Sequence, residues 1–200
     1  MPKRMMLPAP SCTARRPGPA LPRISIPVGG LHASRAPVLL DTVLGSCISV
    51  CLYDQVARVG GMNHFMLPSG ASSDNPTSAR YGVYAMELLI NELMKKGGDR
   101  RRFQAKVFGG GHVLRIRERF DGVPQQNIEF IRRFLIVEQI PLIKEDVGGD
   151  YPRRILFYSH TGQAFRKRLG QLDAERTAAE ERTYRARLGK EKLDGDATLF

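Results

Sequence analysis

The run Gly45-Ser46-Cys47-Ile48-Ser49-Val50-Cys51-Leu52-Tyr53, then Asp54-Gln55-Val56-Ala57-Arg58, then Val59-Gly60-Gly61-Met62-Asn63-His64, reads as strand, turn, strand. Residues 48–53 are apolar or β-branched, and the polar break before Val59 has the length of a hairpin turn. A turn centred between Gln55 and Val56 places Cys47 directly opposite His64. Opposed residues of an antiparallel pair have Cβ atoms roughly 4.5–5.5 Å apart, near enough for a thiol and an imidazole to share a proton. This holds for a regular hairpin, and Gly60-Gly61 is where a bulge would shift it.

Taken alone, a cysteine is most often a small buried hydrophobe, and a histidine near a strand end is most often structural. The pairing of Cys47 with His64 favours nucleophile and base, and Gly45-Ser46 ahead of the cysteine offers backbone N–H groups for a developing oxyanion. A zinc site built from Cys47, Cys51 and His64 lacks a fourth ligand and a diagnostic spacing, so no metal is expected. The triple glycine Gly109-Gly110-Gly111 has no downstream Gly-Lys-Ser/Thr and reads as a close backbone approach or sharp turn, with His112 after it in a loop.

Working outward, Val38–Val43 reads as a strand leading into the turn at Gly45, and the hairpin runs on to Leu67-Pro68. Residues 69–78 carry loop chemistry. Tyr81, Ala85, Leu88, Leu89 and Leu93 recur at helical spacing within Ala79–Lys96, which Gly97-Gly98 closes. Gln104–Phe108 reads as a short strand, and Asn127 as the cap of a second helix through Gln139, closed by Pro141. Leu142–Val147, Arg154–Ser159 and Gln163–Leu169 read as three strands, the last two joined by a tight turn at His160-Thr161-Gly162.

The 200 residues, 42% hydrophobic and 26% charged, suit one main globular domain. The net charge of +11 is unevenly spread: residues 1–36 carry six basic side chains and no acid. Residues 37–163 hold 16 basic and 13 acidic groups. Eight of the 13 prolines lie in residues 1–37. Residues 1–36 are therefore expected to be a flexible basic arm, and 170–200 a charged helical tail with only Leu172, Tyr184 and Leu188 as apolar anchors, more a solvated appendage than a domain. The mildly basic body has no aromatic-studded basic face, which argues against nucleic acid as partner. No apolar run suits a membrane span or a secretory signal, and three cysteines, Cys12, Cys47 and Cys51, are a poor disulfide framework; both point to the cytoplasm, without membrane insertion.

Thr42-Val43-Leu44-Gly45-Ser46-Cys47 through Asp54, and Gly60-Gly61-Met62-Asn63-His64-Phe65-Met66-Leu67-Pro68, resemble the signature of the chemoreceptor glutamine deamidases, CheD. Val107-Phe108-Gly109-Gly110-Gly111, Gln126-Asn127, and Glu145-Asp146-Val147-Gly148-Gly149 with Arg153-Arg154 are similar in the same order, so the resemblance covers roughly residues 37–169. It implies an α/β layered sandwich of mixed, largely antiparallel sheet with two main helices. It also implies hydrolysis of glutamine side chains to glutamate on methyl-accepting chemotaxis receptors, with no metal or organic cofactor, and docking to a chemotaxis phosphatase of the CheC type. On this resemblance Cys47 is the nucleophile and His64 the base, with Gly45 and Ser46 supporting the oxyanion. The family's third catalytic residue is a threonine shortly before the cysteine. Thr42 is five residues upstream and preferred; Asp41, six upstream, competes as orienter of the imidazole. Two other readings stay open: a Cys/His methylesterase or peptidase, which also passes through a thioester, and a non-enzymatic adaptor.

Overall fold

A computed structural model describes residues 21–67, 76–113 and 122–188. Residues 1–20 with Cys12, and residues 68–75, 114–121 and 189–200, lie outside the described residues. In chain order the elements are β1 (Arg23–Ser25), β2 (Leu31–Ser34), β3 (Leu39–Leu44), β4 (Ile48–Asp54) and β5 (Val59–Asn63). There follow α1 (Pro76–Lys95), β6 (Phe103–Gly109), α2 (Val123–Val137), β7 (Leu142–Val147), β8 (Arg153–Tyr158), β9 (Ala164–Arg168) and α3 (Gln171–Leu188).

The strands form two sheets, one of five strands in the order β2-β5-β4-β6-β7 and one of four in the order β1-β3-β8-β9. Pairing is parallel at β1–β3 and β6–β7 and antiparallel elsewhere. The central strand β4 is covered on both faces, so its sequence is a nearly continuous apolar run rather than an alternating one. Ile48, Val50 and Leu52 join Phe103, Ala105 and Val107 of β6 in a core with Leu89, Ile90 and Leu93 of α1 and Ile131 and Leu135 of α2. On the opposite face Cys51 and Met62 pack with Leu40, Leu44, Ile155 and Phe157 of the smaller sheet. The layers therefore run helices, five-stranded sheet, four-stranded sheet. Each fully buried Leu, Ile or Phe contributes about 1.5–3 kcal/mol.

Three expectations are corrected here. The basic arm is not flexible up to residue 36: β1 and β2 occupy its last part, each at one edge of a sheet. Pro22 and Pro27 flank β1 without interrupting it, because an edge strand can do without the N–H groups that proline lacks. Arg23 of β1 pairs with Asp41 of β3 at 2.7 Å, which spends one of the arm's charges inside the fold. Asn127 does not cap the second helix; α2 begins at Val123 after Gly122, with Pro124 in its first turn, and Asn127 is fully buried inside it. Residues 171–188 of the tail form α3, which is not a solvated appendage. Thr177, Ala178, Glu181 and Tyr184 of α3 are buried, while Leu172 is exposed.

Candidate active site

The register of the Cys/His hairpin differs from the sequence expectation. Cys51 pairs with Met62, Asp54 with Val59, and beyond the regular ladder Ile48 bridges Phe65. The loop is 55–58, because the Asp54 carboxylate accepts the N–H groups of Val56 and Ala57 at 2.9 and 3.0 Å, and Arg58 takes a left-handed conformation with φ 52°. His64 is thus the diagonal, not the direct, neighbour of Cys47. Side chains alternate with a period of two, so a slip of two keeps both residues on one face. A His64 ring nitrogen, Cys47 Sγ and a Glu181 carboxylate oxygen all lie within 4.8 Å of one another.

Thr42 and Asp41 are adjacent on β3 and so point to opposite faces. Thr42 Oγ1 lies 2.9 Å from His64 Nδ1. Asp41 is held by Arg23 and by Arg154 at 2.8 Å and is not a partner of the imidazole. The Thr42 hydroxyl spends its single hydrogen on the Ile26 carbonyl at 2.7 Å, so toward the ring it can only accept. Nδ1 therefore carries the proton, and Nε2 presents a lone pair. Nε2 is buried and has no hydrogen-bond partner among the described residues. A bare imidazole nitrogen beside a thiol is the arrangement a general base requires.

Backbone geometry around Cys47 is fixed one peptide at a time. Gly111 N–H donates to the Gly45 carbonyl at 2.7 Å, Asn127 Nδ2 to the Ser46 carbonyl at 2.9 Å, and Gly110 N–H to the Cys47 carbonyl at 2.7 Å. With all three carbonyls tied down, the N–H groups of Gly45, Ser46 and Cys47 turn to one carboxylate, Gly45 and Cys47 donating to its Oε1 and Ser46 to its Oε2. The Glu181 carboxylate accepts them at 3.0, 2.9 and 3.1 Å, joined by Ser46 Oγ at 2.6 Å. Such a nest of N–H donors is what a developing oxyanion needs.

The triple glycine follows from this approach. Gly109 has φ 114°, and a Cβ there would sit 2.0 Å from the Cys47 carbonyl oxygen, so no other residue fits without rebuilding the turn. Behind the glycines the fully buried Arg153 bonds the Asp146 carboxylate and the Gly148 carbonyl. Gly148 N–H in turn holds the Gly109 carbonyl at 2.9 Å.

Burial, reinforced by the adjacent Glu181 carboxylate, pushes the Cys47 thiol well above its usual range. Burial likewise lowers the His64 imidazole against the opposing pull of Glu181 and of the Ile26 carbonyl. With Glu181 in place both shifts favour the neutral thiol and the neutral imidazole over the ion pair of a lone Cys/His dyad. Burial also raises Cys51, whose sulfur lies on the same strand face but outside the Cys47, His64 and Glu181 cluster. Sequence reasoning missed Asn127 as a brace and missed Glu181 altogether. The one signal for the latter was Thr177, Glu181, Tyr184 and Leu188 recurring along a single helix face.

The family model described as "CheD chemotactic sensory transduction" matches residues 66–168. The chain belongs to the CheD family. It is 47% identical over 163 residues to the "Probable chemoreceptor glutamine deamidase CheD" of Stenotrophomonas maltophilia (strain K279a), covering 80% of each chain. It is 48% identical over 166 residues to the protein of the same name from Herminiimonas arsenicoxydans, covering 82% of this chain and 81% of that one. Among solved structures, a hypothetical protein of Bacillus licheniformis, YfiH, covers 58% of this chain and 49% of its own at 14% identity, with a TM-score of 0.38, too low to argue from. The CheD match begins after the Cys47–His64 hairpin, so it speaks for the body of the fold, and the site rests on its own geometry. Among the described residues no helix is long and apolar enough to cross a membrane.

Proposed function

We propose that this CheD-family chain hydrolyses the side-chain amides of glutamines on chemoreceptors to glutamates, with Cys47 as nucleophile, His64 as acid and base, and Thr42 as the residue that holds the ring. The observation that carries this reading is the convergence of the Gly45, Ser46 and Cys47 N–H groups beside the sulfur, with His64 in the same cluster.

In the reaction the Cys47 proton passes to His64 Nε2 as the sulfur attacks the glutamine Cδ. The amide oxygen becomes an oxyanion in the N–H nest, where one donor is typically worth about 2.7–4 kcal/mol. His64 Nε2–H then protonates the departing nitrogen, which leaves as ammonia, and a thioester remains on Cys47. A water molecule enters, gives its proton to Nε2 and attacks the thioester carbon, releasing glutamate and restoring the thiol. General acid–base transfer of this kind contributes roughly 10²–10⁴ in rate. Throughout, Nδ1–H donates to Thr42 Oγ1, so the ring keeps its tautomer. No step calls on a cofactor.

On this reading the catalytic unit is residues 37–169 together with β1 and β2, and it works in the cytoplasm, where Cys47 stays reduced. A chemotaxis phosphatase of the CheC type is proposed as a docking partner, on family grounds alone. The test is to incubate the protein with receptor cytoplasmic fragments and map glutamine-to-glutamate conversion by mass spectrometry. Wild type converts particular glutamines with release of ammonia, and Cys47→Ala converts none. Conversion by Cys47→Ala at the wild-type rate overturns the nucleophile, and methanol released from methylated receptors without ammonia makes the protein an esterase instead.

A further inference from the structure

The Glu181 carboxylate fills the N–H nest with both of its oxygens, Oε1 on the Gly45 and Cys47 N–H groups and Oε2 on Ser46, and it arrives there on a helix. It takes all three N–H donors of the nest and the Ser46 hydroxyl. Gly45 leaves room for it: a Cβ at Gly45 would meet the two Glu181 oxygens at 3.0 and 3.1 Å. A glutamate side chain held in an oxyanion hole, beside a cysteine that converts glutamine to glutamate, has the chemistry of the reaction product. We propose that α3 is a built-in product analogue, which fills the groove where the glutamine-bearing helix of the substrate docks and must leave before substrate enters. This rests on the deamidase reading above and adds the regulation and the substrate footprint of the same site.

The helix is built to bind specifically and to let go. Its buried face is small: Thr177, Ala178, Glu181 and Tyr184, with Leu188 partly buried. Tyr184 lies over Gly29, whose missing side chain makes the space, and its hydroxyl bonds that of Tyr81 on α1. On the opposite face Glu175, Arg176, Glu180 and Arg182 are exposed to solvent. The footprint is then a helical segment with a small residue three positions before the glutamine and an aromatic three after it. Glu181 also raises the Cys47 thiol, so its departure both opens the nest and eases formation of the thiolate.

A single substitution turns the analogue into a substrate. In full-length Glu181→Gln the side-chain amide lies in the nest beside Cys47. One water is consumed and ammonia released, so the residue should return to glutamate without any added protein. Mass spectrometry of the peptide spanning 177–185 should show glutamate in Glu181→Gln and intact glutamine in the Cys47→Ala, Glu181→Gln double variant. In parallel, Glu181→Ala and Ala178→Arg, which remove the carboxylate or wedge the helix out, should deamidate receptor cytoplasmic fragments at least tenfold faster than wild type. Cys47 in Glu181→Ala should also be alkylated by iodoacetamide faster and at lower pH. If wild type and Glu181→Ala deamidate receptor fragments equally fast, and the glutamine introduced by Glu181→Gln persists, the product-analogue proposal falls while the deamidase reading stands. If no variant converts any glutamine, in cis or in trans, both fall together.

Discussion

The tautomer of the site's imidazole is set by a threonine hydroxyl. Thr42 gives its hydrogen to Ile26 and accepts from His64, and that one-way arrangement places the proton on Nδ1 and the lone pair on Nε2. Thr42→Val keeps the volume and removes the acceptor, leaving Nδ1–H only the Ile26 carbonyl at 3.3 Å. We expect kcat to fall by about 10–10³-fold with KM little changed, and Thr42→Ser to recover most of it. An unchanged kcat in Thr42→Val would show that the ring needs no such support. At this scale the sequence is informative in kind: Cys47 and His64 are legible because strand parity puts them on one face whether the pairing register is right or two residues off. The choice between Thr42 and Asp41 was not legible from spacing, since adjacent strand residues face opposite ways and only the sheet's packing says which way is in.

At the scale of elements the site depends on loops from distant parts of the chain closing over residues 45–47. The Gly109–Gly111 turn holds two of the three carbonyls and the buried Asn127 holds the third. Gly109→Ala would force a Cβ into the Cys47 carbonyl at a φ that costs other residues strain, and we expect a loss of roughly 3 kcal/mol in stability by urea denaturation, with activity lost out of proportion. A fully active and stable Gly109→Ala would mean that the turn can relax without moving the nest. Helices, hairpin and most strands could be read from periodicity and punctuation. Asn127 was misread because asparagine suits a helix cap as well as it suits a buried brace, and sequence spacing does not separate the two. The turn at 55–58 was misplaced because the hydrogen bonds of the Asp54 carboxylate, not the polar run alone, set its length.

At the scale of the molecule, charge among the described residues is placed to hold segments together. Asp54, whose side chain is fully buried, is the clearest case. Burial alone would raise its carboxyl, but the Arg102 guanidinium at 2.8 Å and the N–H groups of Ala57, Asp99 and Val56 outweigh that and hold it at about 2. An unfolded aspartate titrates near about 3.9. The stability from this group is therefore complete above about pH 4 and is lost as pH falls through about 2. Asp54→Asn should be less stable than wild type by about 2 kcal/mol at pH 6, and the gap should narrow toward pH 2; a gap constant with pH would place its origin in packing instead. Long-range placement is also where sequence reading reached its limit. No local pattern says that a charged tail helix returns over 130 residues to the cysteine, or that part of a proline-rich arm is a parallel edge strand, because each is decided by partners far away in the chain.

The central claim is that Cys47 forms a covalent acyl intermediate with its carbonyl oxygen in the N–H nest. A single turnover of Glu181→Ala on a receptor cytoplasmic fragment, quenched in acid and analysed by mass spectrometry, tests it directly. The account predicts a thioester joining a receptor glutamine side chain to Cys47 and to no other cysteine, appearing before glutamate and absent in Cys47→Ala. Glutamate formed with no adduct on Cys47, and formed equally well by Cys47→Ala, would contradict it.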